Sequence, residues 1–143
     1  MTSRPQTTVL LHGEQTGDLV SVTEIVVPPR SPGPPLHVHG FDEAFYVLDG
    51  ELLFRVDDVV ASRGAGEVCF APRHVPHALA NRSDVPARYV LVCTPAGFER
   101  HWARLAAAAA GVEPPEWALA PPPEVTVVGP PIGGPDGDLT TRR

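Results

Sequence analysis

Three histidines and one glutamate are the residues of this chain whose types and spacing best suit chemistry. His37 and His39 stand two residues apart, Glu43 follows four residues later, and His77 lies further along the chain. Side chains of a β-strand alternate between two faces, so His37 and His39 share a face if they lie on a strand. Imidazole and carboxylate together suit a transition metal, whereas Mg²⁺ and Ca²⁺ prefer oxygen ligands. The spacing predicts one divalent ion, which could be Fe, Mn, Ni, Co, Cu or Zn.

Two glycine-bounded motifs contain these residues. The first begins at Gly33, includes both neighbouring histidines and Glu43, and ends at Gly50. The second contains, in chain order, Gly66, Pro72, His77 and Asn81.

The two motifs together resemble the paired motifs of the cupin superfamily, over residues 15–96. The chain is most similar to single-domain bacterial cupins described as quercetinase-like, whose reactions are diverse. It departs from the usual pattern in two places. The gap between Gly33 and His37 is shorter than usual, and His74 stands where a glycine is usual. We interpret His74 as a turn residue that adopts the backbone conformation of the missing glycine.

The resemblance implies a fold, a ligand set and a catalytic group. The expected fold is all-β, a cupin double-stranded β-helix or jelly-roll barrel. The implied metal ligands are His37, His39, Glu43 and His77, and Glu43 is implied to act also as the catalytic acid or base. The resemblance further implies a homodimer, and we expect a strand at residues 18–27 to lie at a sheet edge and form the interface.

The rest of the sequence supports the all-β interpretation, because short apolar runs alternate with turn signals. Strands are predicted at residues 8–12, 18–27, 36–39, 43–48, 51–56, 59–61, 68–71, 77–81 and 87–94. Asp49 and Gly50 predict a tight hairpin between two of these strands.

The C-terminal part has a different character and predicts three regions for the whole chain. Residues 97–110 are predicted to form a helix with Phe98, Trp102 and Leu105 on one face and Gly111 as its C-terminal cap. The expected regions are a barrel at 1–96, a helix packed on it at 97–111, and an extended proline-rich tail at 112–143. The tail is expected to contain one short strand at 125–128 and to fray after Pro135.

Composition narrows the classes of function. The chain has 143 residues, a length that suits one domain with one core. Its net charge of -6 provides no basic surface for nucleic acid. Cys69 and Cys93 lie in apolar runs and are interpreted as buried thiols that do not form a bridge. The N-terminus has no apolar signal core, and no run reaches membrane-spanning length, so a cytoplasmic protein without a membrane partner is expected.

Strand parity also predicts an apolar pocket around the metal site. Residues two and four beyond Glu43, and two beyond His77, share the faces of these ligands. Phe54 and Phe70 are further wall candidates, on strands whose register the sequence does not fix. Phe41 is expected at the mouth of the pocket. The predicted pocket residues are Phe41, Phe45, Val47, Phe54, Phe70 and Leu79. His12, His101 and Trp102 are expected to be surface or packing residues, with Trp102 against the outside of the barrel.

Two classes of function follow from this pattern, and no feature of the sequence singles out the third class, a structural or partner protein. The leading hypothesis is a metal-dependent enzyme that acts on a small, partly hydrophobic organic molecule. Oxygenase chemistry is its first version, and non-oxidative lyase, isomerase or cyclase chemistry on a natural-product intermediate is the alternative. The second class is a cupin that binds a small molecule without catalysis.

Overall fold

Two antiparallel β-sheets packed face to face make up most of the protein. A computed structural model describes residues 5–133. Within that range the strands are β1 (Gln6–Leu11), β2 (Ser21–Val27), β3 (His37–His39), β4 (Asp42–Asp49), β5 (Glu51–Val56), β6 (Val59–Gly64), β7 (Val68–Ala71), β8 (His77–Ala80), β9 (Ala87–Thr94) and β10 (Val125–Val127). One α-helix, α1 (Glu99–Ala110), and short 3-10 turns at Gly13–Gln15 and Glu116–Ala118 complete the fold.

The core lies between the two sheets. One sheet has the strand order β1-β2-β9-β4-β7 and the other has the order β10-β3-β8-β5-β6. Ile25, Phe45 and Leu91 project from the first sheet into a shared apolar core, where they meet Leu52 and Phe54 from the second. This confirms the predicted all-β jelly-roll architecture, in the form of a two-sheet sandwich and not of a closed barrel.

The sequence forms these strands because apolar residues recur at every second position. Along β4 the buried residues are Glu43, Phe45 and Val47, and the residues between them are more exposed. β9 shows the same alternation and pairs with β4 so that Glu43 lies opposite Cys93 and Phe45 opposite Leu91. A shift of one residue would expose every one of these side chains, so the pattern fixes the register.

The expected location of β2 at a sheet edge is wrong. β2 pairs with β1 on one side and with β9 on the other. The strand also begins at Ser21 and not at Asp18, because Gly17 and Asp18 adopt left-handed conformations with φ of 61° and 63°. A homodimer stays a prediction, and light scattering at micromolar concentration would test it, but β2 offers it no free backbone groups.

Several local predictions about turns and thiols are confirmed. Gly50 has a φ of 78° in the hairpin between β4 and β5, and Asp57 has a φ of 55° in the next turn. His74 has a φ of 65°, so it adopts the left-handed conformation that the usual glycine would take. Cys69 and Cys93 are buried free thiols.

The helix and the tail complete the sandwich. α1 ends at Gly111, which has the left-handed φ of 70° expected of a C-terminal cap. The predicted helix face is partly wrong, because Phe98 and Trp102 pack against the core whereas Leu105 is 45% exposed. The predicted tail strand is present as β10, which pairs with β3. The predicted fraying after Pro135 lies outside the described residues, and within residues 5–133 no helix is long and apolar enough to cross a membrane.

Gly33 is held in a close backbone contact where the loop before β3 approaches β8. Its φ is 72°, and a Cβ atom there would lie 1.7 Å from the carbonyl oxygen of Leu79. No side chain fits at that distance, so the glycine allows this loop to lie on β8.

We expect Gly33→Ala to destabilise the protein by more than about 2 kcal/mol, because backbone strain and a steric clash act together. Gly66→Ala is the matched control, since Gly66 also has a positive φ, of 85°, but a Cβ atom added there would meet nothing within 4 Å. The control should lose only about 1 kcal/mol. Urea unfolding of both variants measures the difference, and equal losses would contradict the steric explanation.

Candidate metal site and cavity

Four side chains from three strands meet in the space between the sheets. His37 and His39 lie on β3, and His77 lies on the neighbouring β8 directly opposite His37. Glu43 lies near the start of β4 in the other sheet. One ligand atom from each residue lies within 4.8 Å of all the others, so the four side chains could hold one metal ion.

The tightest part of this cluster is formed by two imidazoles and the carboxylate. His39 Nε2 lies 2.6 Å from Glu43 Oε1, and His77 Nε2 lies 2.8 Å from the same oxygen. The two Nε2 atoms are 3.1 Å apart. All three residues are at least 95% buried, so water does not screen these contacts.

Backbone carbonyl groups fix the proton positions on two of the histidines. His37 Nδ1 lies 2.8 Å from the oxygen of Pro35, and His77 Nδ1 lies 3.0 Å from the oxygen of Val75. A carbonyl oxygen can only accept, so each Nδ1 carries a hydrogen and donates it. The Nε2 lone pair of a neutral ring is then free to bind a metal, as the outer hydrogen bond of a ligating histidine usually ensures.

The same contacts shift the pKa values of the cluster. Burial would raise the pKa of Glu43, but hydrogen bonds from His39 and His77 outweigh burial and lower this pKa to about 2. Burial lowers the pKa of His77, but the hydrogen bond and negative charge of Glu43 outweigh burial and raise this pKa. Burial lowers the pKa of His37, and the Pro35 carbonyl opposes the effect only in part. The carboxylate thus favours positive charge beside it.

These observations fit a bound cation. Neutral imidazole lone pairs and a carboxylate oxygen repel one another at distances near 3 Å. Positive charge between them, supplied by a proton on Nε2 or by a metal ion, removes that repulsion. Three nitrogen donors and one oxygen donor match a divalent transition metal, so the residues present fit the ion that the spacing predicted.

His39 is oriented differently from the other two histidines. Its Nδ1 is buried and has no hydrogen-bond partner among the described residues. Its ring instead stacks on Phe41 with centroids 3.6 Å apart and an interplanar angle of 4°. The flat face of Phe41 therefore fixes the orientation of the His39 ring. For His37 and His77, a hydrogen bond to a backbone carbonyl has this role.

Asn81 of the second motif has a structural role next to the site. Its side chain is fully buried, and its amide nitrogen donates to the carbonyl oxygens of Val27, Pro28 and Val85. Its oxygen accepts from the backbone N–H and the hydroxyl of Ser83. One side chain thus satisfies the backbone groups of two loops and fixes the end of β8.

A cavity of about 910 Å³ opens beside the metal cluster. Its wall includes His37, Glu43 and His77 together with apolar and aromatic side chains of both sheets. No arginine among residues 5–133 lines it, and the chain contains no lysine. The cavity therefore suits a neutral, largely apolar molecule that presents a polar group to the cluster.

The predicted pocket residues occupy three kinds of position. Phe45 and Leu79 line the cavity. Val47 and Phe54 are buried in the apolar core and do not line it.

Phe41 and Phe70 lie elsewhere than predicted. Phe41 is only 2% exposed and packs behind His39, so it does not stand at the mouth of the pocket. Phe70 is 54% exposed, because Cys69 and Ala71 are the residues of β7 that face inward. The sequence does not fix the register of β7, and the prediction that Phe70 lines the pocket is wrong.

The helix contributes wall residues that sequence reasoning missed. Phe98, His101 and Trp102 line the cavity, although we expected His101 and Trp102 to be surface or packing residues. Tyr89 of β9 also lines it, and burial followed by the charge of Glu43 raises the pKa of its hydroxyl, which therefore stays protonated. Tyr89 was detectable in principle, since it shares the inward parity of Leu91.

Comparison with known proteins supports the same family. Residues 23–93 match the family model Cupin_2, described as a cupin domain. None of the curated protein sequences matches the chain significantly.

Solved structures with similar folds include three from bacteria. The protein TT1209 from Thermus thermophilus is 27% identical, with a TM-score of 0.58 over 64% of this chain and 84% of that one. A predicted oxalate decarboxylase from Thermotoga maritima is 25% identical, with a TM-score of 0.61 over 65% and 82%. The polyketide cyclase RemF from Streptomyces resistomycificus is 26% identical, with a TM-score of 0.56 over 63% and 64%. This chain thus spans less than two thirds of the length of RemF.

The family match agrees with the two motifs, with the two-sheet jelly roll and with the convergence of His37, His39, Glu43 and His77. The chain therefore belongs to the cupin superfamily.

Proposed function

We propose that this protein is a metal-dependent enzyme that acts on a small, partly hydrophobic organic molecule. The observation that carries the proposal is the position of the His37, His39, Glu43 and His77 cluster in the wall of a 910 Å³ apolar cavity. Four matched ligand atoms in a buried place are costly unless they bind something. A cavity that begins at such a cluster gives an organic molecule direct access to it.

Each part of the site has a distinct task in this proposal. The three histidines hold the ion, and backbone carbonyls and Phe41 keep their rings oriented. A bound divalent metal would polarise an oxygen of the substrate. Glu43 is the candidate acid or base, since its Oε1 faces the histidines while its Oε2 lies 3.9 Å from Cys93 Sγ, which donates to it. The apolar wall excludes water and holds the body of the substrate.

Oxygenase chemistry and non-oxidative chemistry both suit this arrangement. The resemblance to quercetinase-like cupins favours oxygenase chemistry. The similarity to a polyketide cyclase and to a predicted oxalate decarboxylase favours cyclase or lyase chemistry as the second candidate. The aromatic wall suits the ring compounds of a cyclase, whereas a cavity wall without arginine among its described residues does not suit a small dianion such as oxalate.

We expect the purified protein to contain about one equivalent of a transition metal per chain, and His77→Ala to lose most of it. His12→Phe is the matched control, because His12 stacks on Trp117 outside the cavity and contacts no member of the cluster. Elemental analysis of all three proteins measures the metal. Protein that stays empty after reconstitution with Fe, Mn, Ni, Co, Cu and Zn would contradict the proposal and would favour a cupin that binds its ligand without a metal.

Phe41→Leu should weaken metal binding by about 2- to 10-fold, because it removes the stacked face that orients His39. Phe70→Leu makes the same chemical change on the exposed face of β7 and should leave the affinity unchanged. Competition of each metal-loaded protein with a chelator gives the two affinities. Equal affinities would show that His39 needs no help from Phe41.

An oxygenase must consume O₂ with its substrate, whereas a cyclase or lyase turns over without it. We expect metal-loaded protein to convert a member of a panel of phenolic and enolic compounds, and Glu43→Gln to remove that activity while thermal unfolding stays cooperative. An oxygen electrode and product masses, with and without air, separate the two reaction classes. Full activity of Glu43→Gln would reject its role as acid or base.

A further inference from the structure

One wall of the cavity is built by a part of the chain that lies beyond the cupin domain match. The family model ends at residue 93, whereas Phe98, His101 and Trp102 of the α1 segment line the cavity. Pro122 and Pro123, in the proline-rich tail that follows α1, extend the same wall. We therefore expect the features that select the substrate in residues outside the part of the chain that matches the family model.

This wall is held in place by polar contacts at both of its sides. Glu99 at the start of α1 is 2% exposed, and its carboxylate accepts the backbone N–H groups of Gly13 at 2.7 Å and Gly97 at 2.6 Å. On its other side, Arg100 donates to the carbonyl oxygen of Pro121 in the proline-rich tail at 3.3 Å. These hydrogen bonds fix α1 to the turn at Gly13–Gln15 and to the proline-rich tail. The helix therefore presents its side chains to the cavity in fixed positions.

His101 is the ionisable side chain of this wall. Its ring stacks on Phe98, with centroids 5.2 Å apart and planes 20° from parallel, and Phe98 in turn stacks on His39 at 6.3 Å. The Phe98 ring therefore separates His101 from the metal cluster. Burial, assisted by the charge of Arg104, lowers the pKa of His101 and thus favours its neutral ring, which offers one donor and one acceptor.

The hydrogen-bonding groups of this wall are not used by the protein. Among residues 5–133, the His101 ring stacks on Phe98 and makes an edge contact with Trp102, and no hydrogen bond to its ring nitrogens is present. The neighbouring indole nitrogen of Trp102 is buried and likewise has no partner in that range. Buried polar atoms such as the Trp102 nitrogen are normally satisfied. A ligand in the cavity can supply a partner for that nitrogen and for the half-buried ring of His101.

We propose that His101 is a specificity-determining residue, which hydrogen-bonds an oxygen at the end of the substrate that lies away from the metal ligands. The inference rests on the proposed function, and it narrows the substrate class. The ligand is a neutral aromatic compound that carries oxygen at both ends, one for the metal cluster and one for His101. Its body lies between the aromatic rings and the prolines of the cavity wall.

A matched pair of probes tests this assignment. p-Phenylphenol carries a hydroxyl at one end of a biphenyl, and p,p′-biphenol carries one at each end. Zinc-loaded full-length protein is titrated with each probe by calorimetry, because zinc is redox-inert and leaves both phenols intact. We expect p,p′-biphenol to bind about 4- to 20-fold more tightly. A factor of about 2 is statistical, because either of its two hydroxyls can face the cluster, and one additional hydrogen bond provides the remaining factor of about 2 to 10.

His101→Phe keeps an aromatic ring on Phe98 and removes the hydrogen bond. It should reduce the preference for p,p′-biphenol to the statistical factor of about 2 and leave the affinity for p-phenylphenol within about twofold of the original. His101→Gln, which retains a donor and an acceptor, should keep part of the preference. His12→Phe, the control outside the cavity, should keep all of it. If His101→Phe does not fold, His101→Leu makes the same test.

The possible outcomes distinguish the two proposals. A preference no greater than about twofold in the original protein, or an undiminished preference in the variants that lack the hydrogen bond, would overturn the role of His101 and leave the metal-dependent function standing. Failure of both probes to bind would overturn the apolar ligand cavity, and the role of His101 with it.

Discussion

This structure depends on one constraint: two imidazole nitrogens and one carboxylate oxygen lie within 3.1 Å of one another on side chains that are almost fully buried. Such a cluster is unfavourable unless positive charge is shared among its members. It also joins the two sheets, because Glu43 comes from one of them and the histidines come from the other. The separation of the sheets must therefore suit both the apolar core and the reach of these four side chains.

The backbone around the ligands shows how that constraint is met. β3 is only three residues long, so its position is set by what surrounds it. Gly33 allows the preceding loop to lie on β8, the N–H of His74 donates to the oxygen of His39 at 2.8 Å, and β10 pairs along the other edge. The short strand is thus fixed from three sides, and β10, the short strand predicted in the proline-rich tail, completes the support of the two candidate metal ligands on β3.

The sequence predicts the features that depend on local chemistry. Alternation of apolar residues predicts most strands, and the left-handed turn residues Gly50 and His74 are evident from the motifs. The four ligands meet because they share strand faces. Predictions that depend on long-range pairing fare less well. Phe70 is a wall candidate on a register that the sequence does not fix, and the structure exposes it. The expected edge position of β2 is occupied by β1. Neither register nor strand order can be determined from a single segment.

The cavity wall shows the same limit and explains where selectivity can arise. Helical periodicity predicts α1 but not which surface it covers, so His101 and Trp102 could not be placed beside the ligands from sequence alone. The inward residues of the strands are committed to the core, where a change of size or polarity destabilises the sandwich. The side chains of α1 that face the cavity are packed less extensively, since Phe98 and Trp102 are only partly buried against the core. Substitutions there change the cavity wall at little cost to the fold, so in our proposal the strands position the candidate metal ligands and the helix selects the substrate.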